Sequence, residues 1–362
     1  MTDRSGVRLC DLTTLRTGGV ATHAVSAESL DELVDAVRSA DVGSRAVLLI
    51  GDGSNLVAPD QGWDGDVVLI RDRGIESVRR GQDIDVRVAA GESWDGVVTR
   101  SVEAGWSGLE CLSRIPGRTG ATPMQNVGAY GQEIADSITG VEVFDRESDR
   151  RMSWSAAACR FGYRDSRFKH TDRFVVLSVQ FRLRLSRRSA PIRYAELARQ
   201  LGVEVGQQAP AADVRAAVLE LRRNKGMVLD TADHDTWSAG SFFTNPILTP
   251  GEYERFADLT SARLGPDAAW PAYPDPRGRK LSAAWLIEQA GFAKGYARGA
   301  AAVSGKHTLA LTNRGSATSA DILALATEII DRVESAFGIR LHPEPRILSL
   351  SHRRVWALAS TP

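Results

Sequence analysis

Residues 108–131 form the stretch whose composition points most directly to chemistry. It reads Gly-Leu-Glu-Cys-Leu-Ser-Arg-Ile-Pro-Gly-Arg-Thr-Gly-Ala-Thr-Pro-Met-Gln-Asn-Val-Gly-Ala-Tyr-Gly. Its glycines let the backbone approach a neighbour closely, and its prolines stiffen the path between the turns. The pattern favours backbone amides that face a flat or anionic ligand, and the polar Gln125, Asn126 and Tyr130 fit that use. A surface loop made of turn residues is the alternative.

A second glycine-containing segment, residues 51–55, reads Gly-Asp-Gly-Ser-Asn and follows the apolar run 46–50. A buried strand that leads into such a loop is typical of a phosphate site, in which the Ser54 hydroxyl and the Asn55 amide could face an anion. The third glycine and the later acidic residue of a Rossmann fingerprint are missing, so an ordinary tight turn stays open. Two such loops together fit a dinucleotide better than a mononucleotide.

The composition is that of an ordinary globular protein with more than one domain: 362 residues, 43% hydrophobic and 25% charged. Lys plus Arg and Asp plus Glu are equal at 45 each, so local groups must meet any anion, and we expect no nucleic-acid partner. No apolar run reaches the roughly 18 residues of a membrane helix, and the first residues lack a secretory apolar region. We therefore expect a cytoplasmic protein without a membrane partner.

The cysteines and histidines indicate neither a disulfide framework nor a metal site. Cys10, Cys111 and Cys159 are widely spaced and include no Cys-x-x-Cys pair, so we expect buried thiols. The six histidines show no metal-ligand spacing. The sequence therefore predicts no metal.

Local signals place the 51–55 loop in a small α/β unit over residues 1–75. Ser29 and Glu32 form a capping box before apolar residues at helical spacing, which predicts a helix. The apolar runs 46–50 and 67–70 are typical of buried strands.

Residues 76–225 are predicted to form a second, α+β domain that contains the 108–131 stretch. Apolar and polar residues alternate over 84–88 and 179–185, which indicates half-buried strands. The same patterns predict helices near residues 94–104 and 213–223 and a strand near 141–144.

Residues 226–338 are predicted to form a third domain, and residues 339–362 to return to the first. A long amphipathic helix is expected from residue 319 or 320 to 337, stopped by Gly338, after a shorter one at 285–290. Residues 275–280, Asp-Pro-Arg-Gly-Arg-Lys, are predicted to be a surface loop.

Taken in order, the motifs resemble flavoenzymes of the vanillyl-alcohol-oxidase type, in which a Gly-x-Gly-Ser-Asn loop and a Pro-Gly-x-x-Gly loop hold an extended FAD. Within that group the chain is similar to the UDP-N-acetylenolpyruvoylglucosamine reductases of peptidoglycan synthesis, over nearly its whole length. The blocks that carry the resemblance are residues 14–19, 51–55, 115–131, 159–169, 240–246, 280–288 and 344–346. It implies an α+β fold, a two-domain FAD clamp of the vanillyl-alcohol-oxidase (PCMH) type with a third α+β substrate domain.

The resemblance also implies binding residues. Non-covalent FAD is expected at Gly51, Asp52, Gly53, Ser54, Asn55, Ile115, Pro116, Gly117, Gly120, Ala121, Gln125, Asn126, Gly128 and Ala129. The UDP-sugar is expected at Tyr130, Tyr163, Tyr194, Arg222, Lys225, Asn245, Lys280 and Arg346, with Tyr194 on the extra loop of the longer family version.

The implied reaction reduces UDP-N-acetylglucosamine enolpyruvate to UDP-N-acetylmuramate, with NADPH as co-substrate, hydride passing through FAD N5 to C3 and a proton from Ser241 to C2. Arg164 is implied to hold the substrate carboxylate as its charge grows, and Glu344 to help hold the enolate, hydrogen-bonded or protonated at the decisive step. On residue type alone, a surface ion pair for Arg164, a turn hydroxyl for Ser241 and a solvent-facing Glu344 stay open.

Some residues depart from the family pattern. Arg118, Thr119, Ala121 and Thr122 stand where the flavin loop more often has smaller or apolar residues, and Thr244 stands where many members carry lysine. We expect these departures to affect flavin geometry and substrate affinity. Two other functions stay open, a flavin oxidase or dehydrogenase of an alcohol or hydroxy acid and an inactive relative that senses UDP-sugar or flavin. Of these functions we expect the reductase, as a monomeric enzyme that serves cell-wall synthesis, cell shape and cell division.

Overall fold

The computed structural model describes residues 2–348, with side chains from residue 6 onward. Elements are numbered in chain order. The strands are β1 (Thr2–Arg8), β2 (Val20–Ala27), β3 (Val47–Ile50), β4 (Leu56–Val57), β5 (Trp63–Ile70), β6 (Ile75–Arg80), β7 (Asp83–Ala89), β8 (Trp106–Ser107), β9 (Gly128–Ala129), β10 (Gln132–Glu133), β11 (Ile138–Asp145), β12 (Arg150–Ser155), β13 (Phe174–Leu185), β14 (Ser238–Ser241), β15 (Ile247–Leu248), β16 (Ala272–Asp275), β17 (Gly278–Leu281), β18 (Ala297–Arg298), β19 (Ala301–Val303), β20 (Ala310–Asn313) and β21 (Arg346–Ile347). The α-helices are α1 (Leu30–Val42), α2 (Trp94–Glu103), α3 (Ala195–Leu201), α4 (Ala211–Asn224), α5 (Pro250–Leu264), α6 (Ala283–Gln289) and α7 (Ser319–Phe337).

Contacts divide the described chain into two units. The first takes residues 2–7, 21–53 and 63–228, and the second takes 8–20, 54–62 and 229–348. The predicted three-part division, 1–75, 76–225 and 226–338, stays a prediction. So does the return of 339–362 to the first part, of which 349–362 lie outside the described residues.

The first unit contains two large sheets and the two-stranded sheet β9–β10. One has the order β1-β2-β5-β3, with β2 and β3 both parallel to β5. The other has the order β12-β11-β13-β7-β6, is antiparallel, and takes β8 at the side of β13. The burial of β7 alternates strictly along the strand, as the polar and apolar alternation of its sequence predicted.

The predicted helix and its Ser29 cap are confirmed, but the reciprocal half of the predicted capping box goes to Glu28 and not to Ser29. Ser29 precedes the helix in an extended conformation and accepts a hydrogen bond from the Glu32 amide, while the Glu32 carboxylate accepts one from the Glu28 amide. Leu33, Val34 and Val37 are buried on the inner face of the helix. The sequence also predicted α2, α4, β3, β5, β11 and β13 to within a few residues.

The second unit is built around α7, whose buried face forms one apolar core with α5, α6 and the sheet β14-β20-β19-β18. The helix runs from Ser319 to Phe337, and Gly338 follows it at a φ of 67°, so both predicted ends are confirmed. Strand β21 pairs in parallel with β4. The prediction of a surface loop at 275–280 is wrong: β16 and β17 form a hairpin there, because Pro276 and Arg277 make a tight turn and the backbone pairs regardless of side-chain polarity.

The thiols behave largely as predicted. Cys111 and Cys159 are buried, whereas Cys10 is only partly covered. Burial raises the pKa of the Cys111 thiol to about 12 and that of Cys159 to about 11. A thiol that is protonated at neutral pH is unreactive, which agrees with a structural role.

A buried ion pair fixes the turn after β11. Asp145 is 2% exposed and accepts two hydrogen bonds of 2.6 Å from the Arg173 guanidinium, one from the Ser148 hydroxyl and one from the Glu147 amide. The guanidinium holds the pKa of this carboxyl far below its usual range. A lowered pKa means that the folded chain favours the ionised form, so this stabilisation is complete above about pH 4 and is lost as the pH falls.

We predict that Asp145→Asn lowers the free energy of unfolding at pH 7 by about 2 kcal/mol, because charge-assisted hydrogen bonds are lost. The difference from the wild-type chain should shrink between about pH 5 and pH 3, as the wild-type carboxyl becomes protonated. Urea unfolding at several pH values measures both effects. Asp85→Asn, which removes the exposed partner of Arg182, is the matched control and should cost less than about 0.5 kcal/mol. A pH-independent difference for Asp145→Asn would contradict this account.

Candidate active site

The first unit brings the two glycine-containing loops together through one side chain. Arg118 is 15% exposed, and its Nε donates to Asp52 Oδ1 at 2.6 Å while its Nη1 donates to the Gly91 carbonyl at 3.0 Å. A Cβ on Gly51 would lie 3.1 Å from Arg118 Cγ, so the two loops touch at this point. Gly53 and Gly117 have φ values of 59° and 129°, which favour glycine.

The segment after Gly117 is fixed against the start of α2. The Trp94 amide donates to the Gly117 carbonyl, and the Gly120 amide donates to the Ala90 carbonyl. A Cβ on Gly120 would lie 2.6 Å from that of Ala90, closer than packed carbons allow. Gly120 is therefore required for the close approach of two backbones, and the loop path is rigid.

Asn126 is a structural anchor of the same loop. It is 2% exposed and left-handed, with a φ of 48°. Its side-chain amide donates to Glu133 and to the Gly162 carbonyl, and its Oδ1 accepts from the Ala135 amide. Both side-chain N–H groups of Asn126 thus donate within the protein. The predicted contact between Asn126 and a flavin would therefore be made by the Asn126 backbone.

Arg164 lies against this loop. Its Nη2 donates to the Gly128 carbonyl at 2.5 Å and its Nη1 to the Asn126 carbonyl at 3.5 Å, while the guanidinium lies 5.4 Å from the centre of the Tyr163 ring. A Cβ on Gly128 would lie 3.0 Å from Arg164 Nη1. The predicted catalytic arginine and the predicted flavin loop are therefore in direct contact.

The alternative of a surface ion pair between Arg164 and Asp165 or another acid stays open: the Asp165 carboxylate contacts His170 at 3.0 Å, but another acid lies at ion-pair distance from Arg164. The acid near Arg164 is Glu133, whose Oε1 lies 3.9 Å from Nη1. Arg164 itself has a φ of 51°, an uncommon conformation for a residue with a side chain, and Lys169 Nζ donates to its carbonyl at 2.6 Å. Such constraint is common where a side chain must be aimed.

Four predicted substrate residues cluster in the first unit. The rings of Tyr130 and Tyr194 meet edge to face at 5.5 Å, and Lys225 Nζ lies 5.8 Å from the centre of the Tyr130 ring. Lys225 also forms an ion pair of 2.5 Å with Glu196. Burial raises the pKa of the Tyr130 hydroxyl to about 12, so it stays a hydrogen-bond donor at neutral pH.

The fourth member of the cluster, Arg222, is a buried cation. It is 8% exposed; its Nη2 donates to the Met227 carbonyl, its Nε has no hydrogen-bond partner, and no carboxylate of residues 6–348 forms an ion pair with it. Burial lowers the pKa of this guanidinium, and the nearby Tyr130 opposes that effect. A buried arginine without an acid is unfavourable unless an anionic ligand completes it.

The second unit brings Ser241 and Glu344 onto neighbouring backbones. Ser241 ends β14 after Gly240, whose φ is 76°. The next residue, Phe242, is buried, and its carbonyl accepts from the Glu344 amide at 2.8 Å. Asn55 Nδ2 in turn donates to the Glu344 carbonyl, and the Arg346 amide donates to the Asn55 carbonyl.

His307, which the sequence did not single out, lies beside Ser241. Its Nε2 is 3.4 Å from Ser241 Oγ. The His307 amide donates to Ser304 Oγ, which in turn donates to the buried Asp235. Ser241 and His307 are 66 residues apart, and no local spacing links them.

Two further predicted substrate residues lie in the second unit. Asn245 Oδ1 accepts from the Ala283 amide at the start of α6, and Lys280 lies in β17 opposite Ile247. Of the other predicted residues, the partly exposed ones are Ser54, Ile115, Gln125 and Ala129, and the exposed ones are Pro116 and Ala121. Arg71, also missed by the sequence, donates to the Gly51 carbonyl at 2.7 Å and supports the first loop.

These features fit the flavin dinucleotide that the sequence predicts. The two loops turn at glycines, pack too closely for side chains and hold a guanidinium where they meet, which suits a diphosphate. Among residues 6–348, no cluster of His, Cys, Asp or Glu could hold a metal. No α-helix within residues 2–348 is both long and apolar enough to span a bilayer.

Comparison with protein families supports this interpretation. Residues 21–150 match the family model described as an FAD binding domain. Residues 231–348 match the model described as UDP-N-acetylenolpyruvoylglucosamine reductase, C-terminal domain. The FAD model thus covers both glycine-containing loops, and the second model covers Ser241, His307 and Glu344.

Curated relatives and a solved structure are similar over almost the whole chain. The UDP-N-acetylenolpyruvoylglucosamine reductase of Thermobifida fusca is 54% identical over 95% of this chain and 98% of that protein. The enzyme of the same name from Streptomyces coelicolor is 53% identical over 93% of this chain and 88% of that protein. The crystal structure of UDP-N-acetylenolpyruvylglucosamine reductase from Thermus caldophilus aligns with a TM-score of 0.63 and 24% identity, over 96% of this chain and 100% of that one, and shows the same fold.

Proposed function

The chain belongs to the UDP-N-acetylenolpyruvoylglucosamine reductase family, and from that membership we propose how its own residues carry out the reaction. It is an FAD-binding oxidoreductase that reduces the enolpyruvyl group of UDP-N-acetylglucosamine enolpyruvate in peptidoglycan precursor synthesis. FAD, when bound, accepts hydride from NADPH and supplies it from N5 to C3 of the enolpyruvyl double bond. Gly51–Gly53 and residues 115–129 hold the cofactor.

Arg164 holds the substrate carboxylate in this proposal. Its planar guanidinium matches a carboxylate, and the attraction strengthens as negative charge grows on that group during reduction. The carbonyls of Gly128 and Asn126 orient the guanidinium. These two acceptors are uncharged, and the Glu133 carboxylate, 3.9 Å from Nη1, adds a charged contact to the same guanidinium.

Ser241 delivers the proton to C2, and the contact that supports this role is the 3.4 Å between its Oγ and His307 Nε2. As the O–H bond of Ser241 breaks and the C2–H bond forms, an imidazole N–H beside the oxygen stabilises the alkoxide and can return a proton to it. Glu344, whose amide is tied to the Phe242 carbonyl, serves the enolate as a hydrogen-bonded or protonated carboxyl.

The Tyr130, Tyr194, Arg222 and Lys225 cluster binds the UDP-sugar in this proposal. The buried Arg222 supports it, because a diphosphate supplies the negative charge that the protein does not place there. Asn245, Lys280 and Arg346 are proposed to add further substrate contacts. A cytoplasmic location, a monomeric state and the lack of nucleic-acid and membrane partners remain predictions from the sequence.

The decisive experiment follows the flavin absorbance under nitrogen. NADPH should bleach the bound flavin, and the enolpyruvyl sugar should then restore its colour with formation of UDP-N-acetylmuramate. Restoration by oxygen alone would favour an alcohol or hydroxy-acid oxidase. A coloured protein that NADPH does not reduce would favour a sensor without turnover.

We predict that Ser241→Ala leaves flavin reduction by NADPH close to normal and slows reoxidation by the enolpyruvyl sugar by about 10²- to 10⁴-fold, the usual contribution of a positioned proton donor. Anaerobic stopped-flow absorbance measures the two half-reactions separately. Ser238→Ala, a change at the other end of β14, is the control. Equal slowing of both half-reactions would assign Ser241 a structural role instead.

His307→Ala is expected to slow only the second half-reaction, by about 10- to 100-fold, because the Ser241 alkoxide loses its stabilising neighbour. His307→Gln, which keeps an amide N–H in that region, should recover part of the rate. If His307 acts through Ser241, the double variant Ser241→Ala/His307→Ala will be no slower than Ser241→Ala alone. Additive losses in single-turnover rates would refute the coupling.

Arg222→Met should raise the KM for the UDP-sugar about tenfold or more, by loss of a charge-assisted contact, while the free energy of unfolding stays constant or rises by about 1 kcal/mol. Arg215→Met on the same helix is the matched control. Arg215 forms a two-pronged ion pair with Asp95 at 2.8 and 3.1 Å, so its loss should cost about 3 kcal/mol of stability. Steady-state kinetics and urea unfolding test the contrast, which an equally destabilised Arg222→Met would contradict.

A further inference from the structure

Asp52 creates an electrostatic problem in the cofactor site. It lies between the glycines of the 51–53 turn, where the FAD-binding loop meets the cofactor's anionic part. A carboxylate in that position repels a diphosphate. Since the side chain is 33% exposed, water screens this repulsion only in part.

Arg118, in the 117–120 loop, offsets this repulsion by binding Asp52. Its Nε contacts Asp52 Oδ1 at 2.6 Å, and its Nη1 contacts the Gly91 carbonyl at 3.0 Å. The second contact fixes the guanidinium to the backbone that also holds the 117–120 segment, because Ala90 and Glu92 accept from the Gly120 and Thr119 amides. The cation is thus held in place before any ligand arrives.

Arg118 also determines how the two loops approach one another. The Cβ that Gly51 lacks would lie 3.1 Å from Arg118 Cγ and 3.2 Å from its Cβ. The aliphatic stem of Arg118 therefore packs against the first loop while its head binds Asp52. A small or apolar residue at this position could not make the charged contact.

We propose that Arg118 is a positioning residue for FAD: it neutralises Asp52 and fixes the 51–53 loop against the 117–120 loop, and thereby sets the affinity for the cofactor. The inference rests on the FAD site of the proposed function. Arg118 acts through Asp52 and not as an independent ligand of the cofactor. The arginine at position 118, where the family more often has a smaller residue, is therefore coupled to Asp52 in the other loop.

A double-mutant cycle on FAD affinity tests this coupling. FAD is titrated into the full chain after removal of its flavin, and the change in flavin fluorescence gives Kd. Arg118→Ala should raise Kd about tenfold or more in the wild-type background, because it removes the closer of two guanidiniums beside the Asp52 carboxylate and leaves only Arg71, whose Nη1 lies 4.0 Å from Asp52 Oδ1. In the Asp52→Asn background the same change should raise Kd less than about threefold. Asp52→Asn alone removes the repulsion and the charged loop contact together, so it should change Kd less than Arg118→Ala does.

The control is Arg146→Ala, which removes an ion pair of similar exposure with Asp41 and should leave FAD affinity unchanged. Circular dichroism melting of the flavin-free chains separates loss of affinity from loss of fold. If Arg118→Ala does not fold, Arg118→Lys is titrated instead. Lysine keeps the charge but cannot bind Asp52 and Gly91 together, so it should give an intermediate Kd.

Equal losses of affinity in both backgrounds would overturn the proposal and make Arg118 a direct ligand of FAD. An unchanged Kd for Arg118→Ala would show that the contact with Asp52 is a surface ion pair without effect on FAD affinity. Both results leave the proposed function intact if the wild-type chain binds FAD and turns over. A wild-type chain that binds no FAD would instead contradict the function itself.

Discussion

The close packing of the 117–128 loop is the constraint on which the first unit's site depends. A side chain at Gly120 would collide with Ala90. The Asn126 side-chain amide donates to Glu133 and to the Gly162 carbonyl. With those anchors in place, the Gly128 carbonyl points at Arg164 and accepts from its guanidinium. The loop predicted to line the cofactor site therefore also orients Arg164, the predicted catalytic cation. A change in its path would move both, which explains why so many of its positions lack a side chain.

The secondary structure was largely predictable because its signals are local. The ends of α1 and α7 follow from a serine or threonine cap with a partner three residues on, and from Gly338 in the left-handed conformation. Alternation in β7 predicted its half-buried face. The β16–β17 hairpin was missed because its residues are polar and its apolar partner positions are few, so pairing there rests on backbone hydrogen bonds that no side-chain pattern reveals.

The site was predictable only as a set of separate blocks. Resemblance gave Arg164, Ser241 and Glu344, but it did not give what holds them, because those contacts join residues far apart in the chain. His307 reaches Ser241 across 66 positions, and Arg118 reaches Asp52 across the same number. Arg118 was noticed as a departure from a pattern, and its physical meaning came only with the coordinates. Contact at this range follows from the fold, whereas sequence spacing carries no trace of it.

The arginines show how a chain with equal numbers of acids and bases can still bind anions. Arg173 lies on the buried Asp145 and Arg118 on Asp52, so each of these cations is balanced by a carboxylate and serves to fix a loop. Arg222 is buried beside Tyr130, its Nε has no hydrogen-bond partner, and in the proposed function its charge is available to the UDP-sugar. The free energy of burying that charge is recovered only when an anion binds. If Arg222 binds the diphosphate as proposed, affinity for it depends less on net charge than on which arginines the fold leaves without an ion-pair partner.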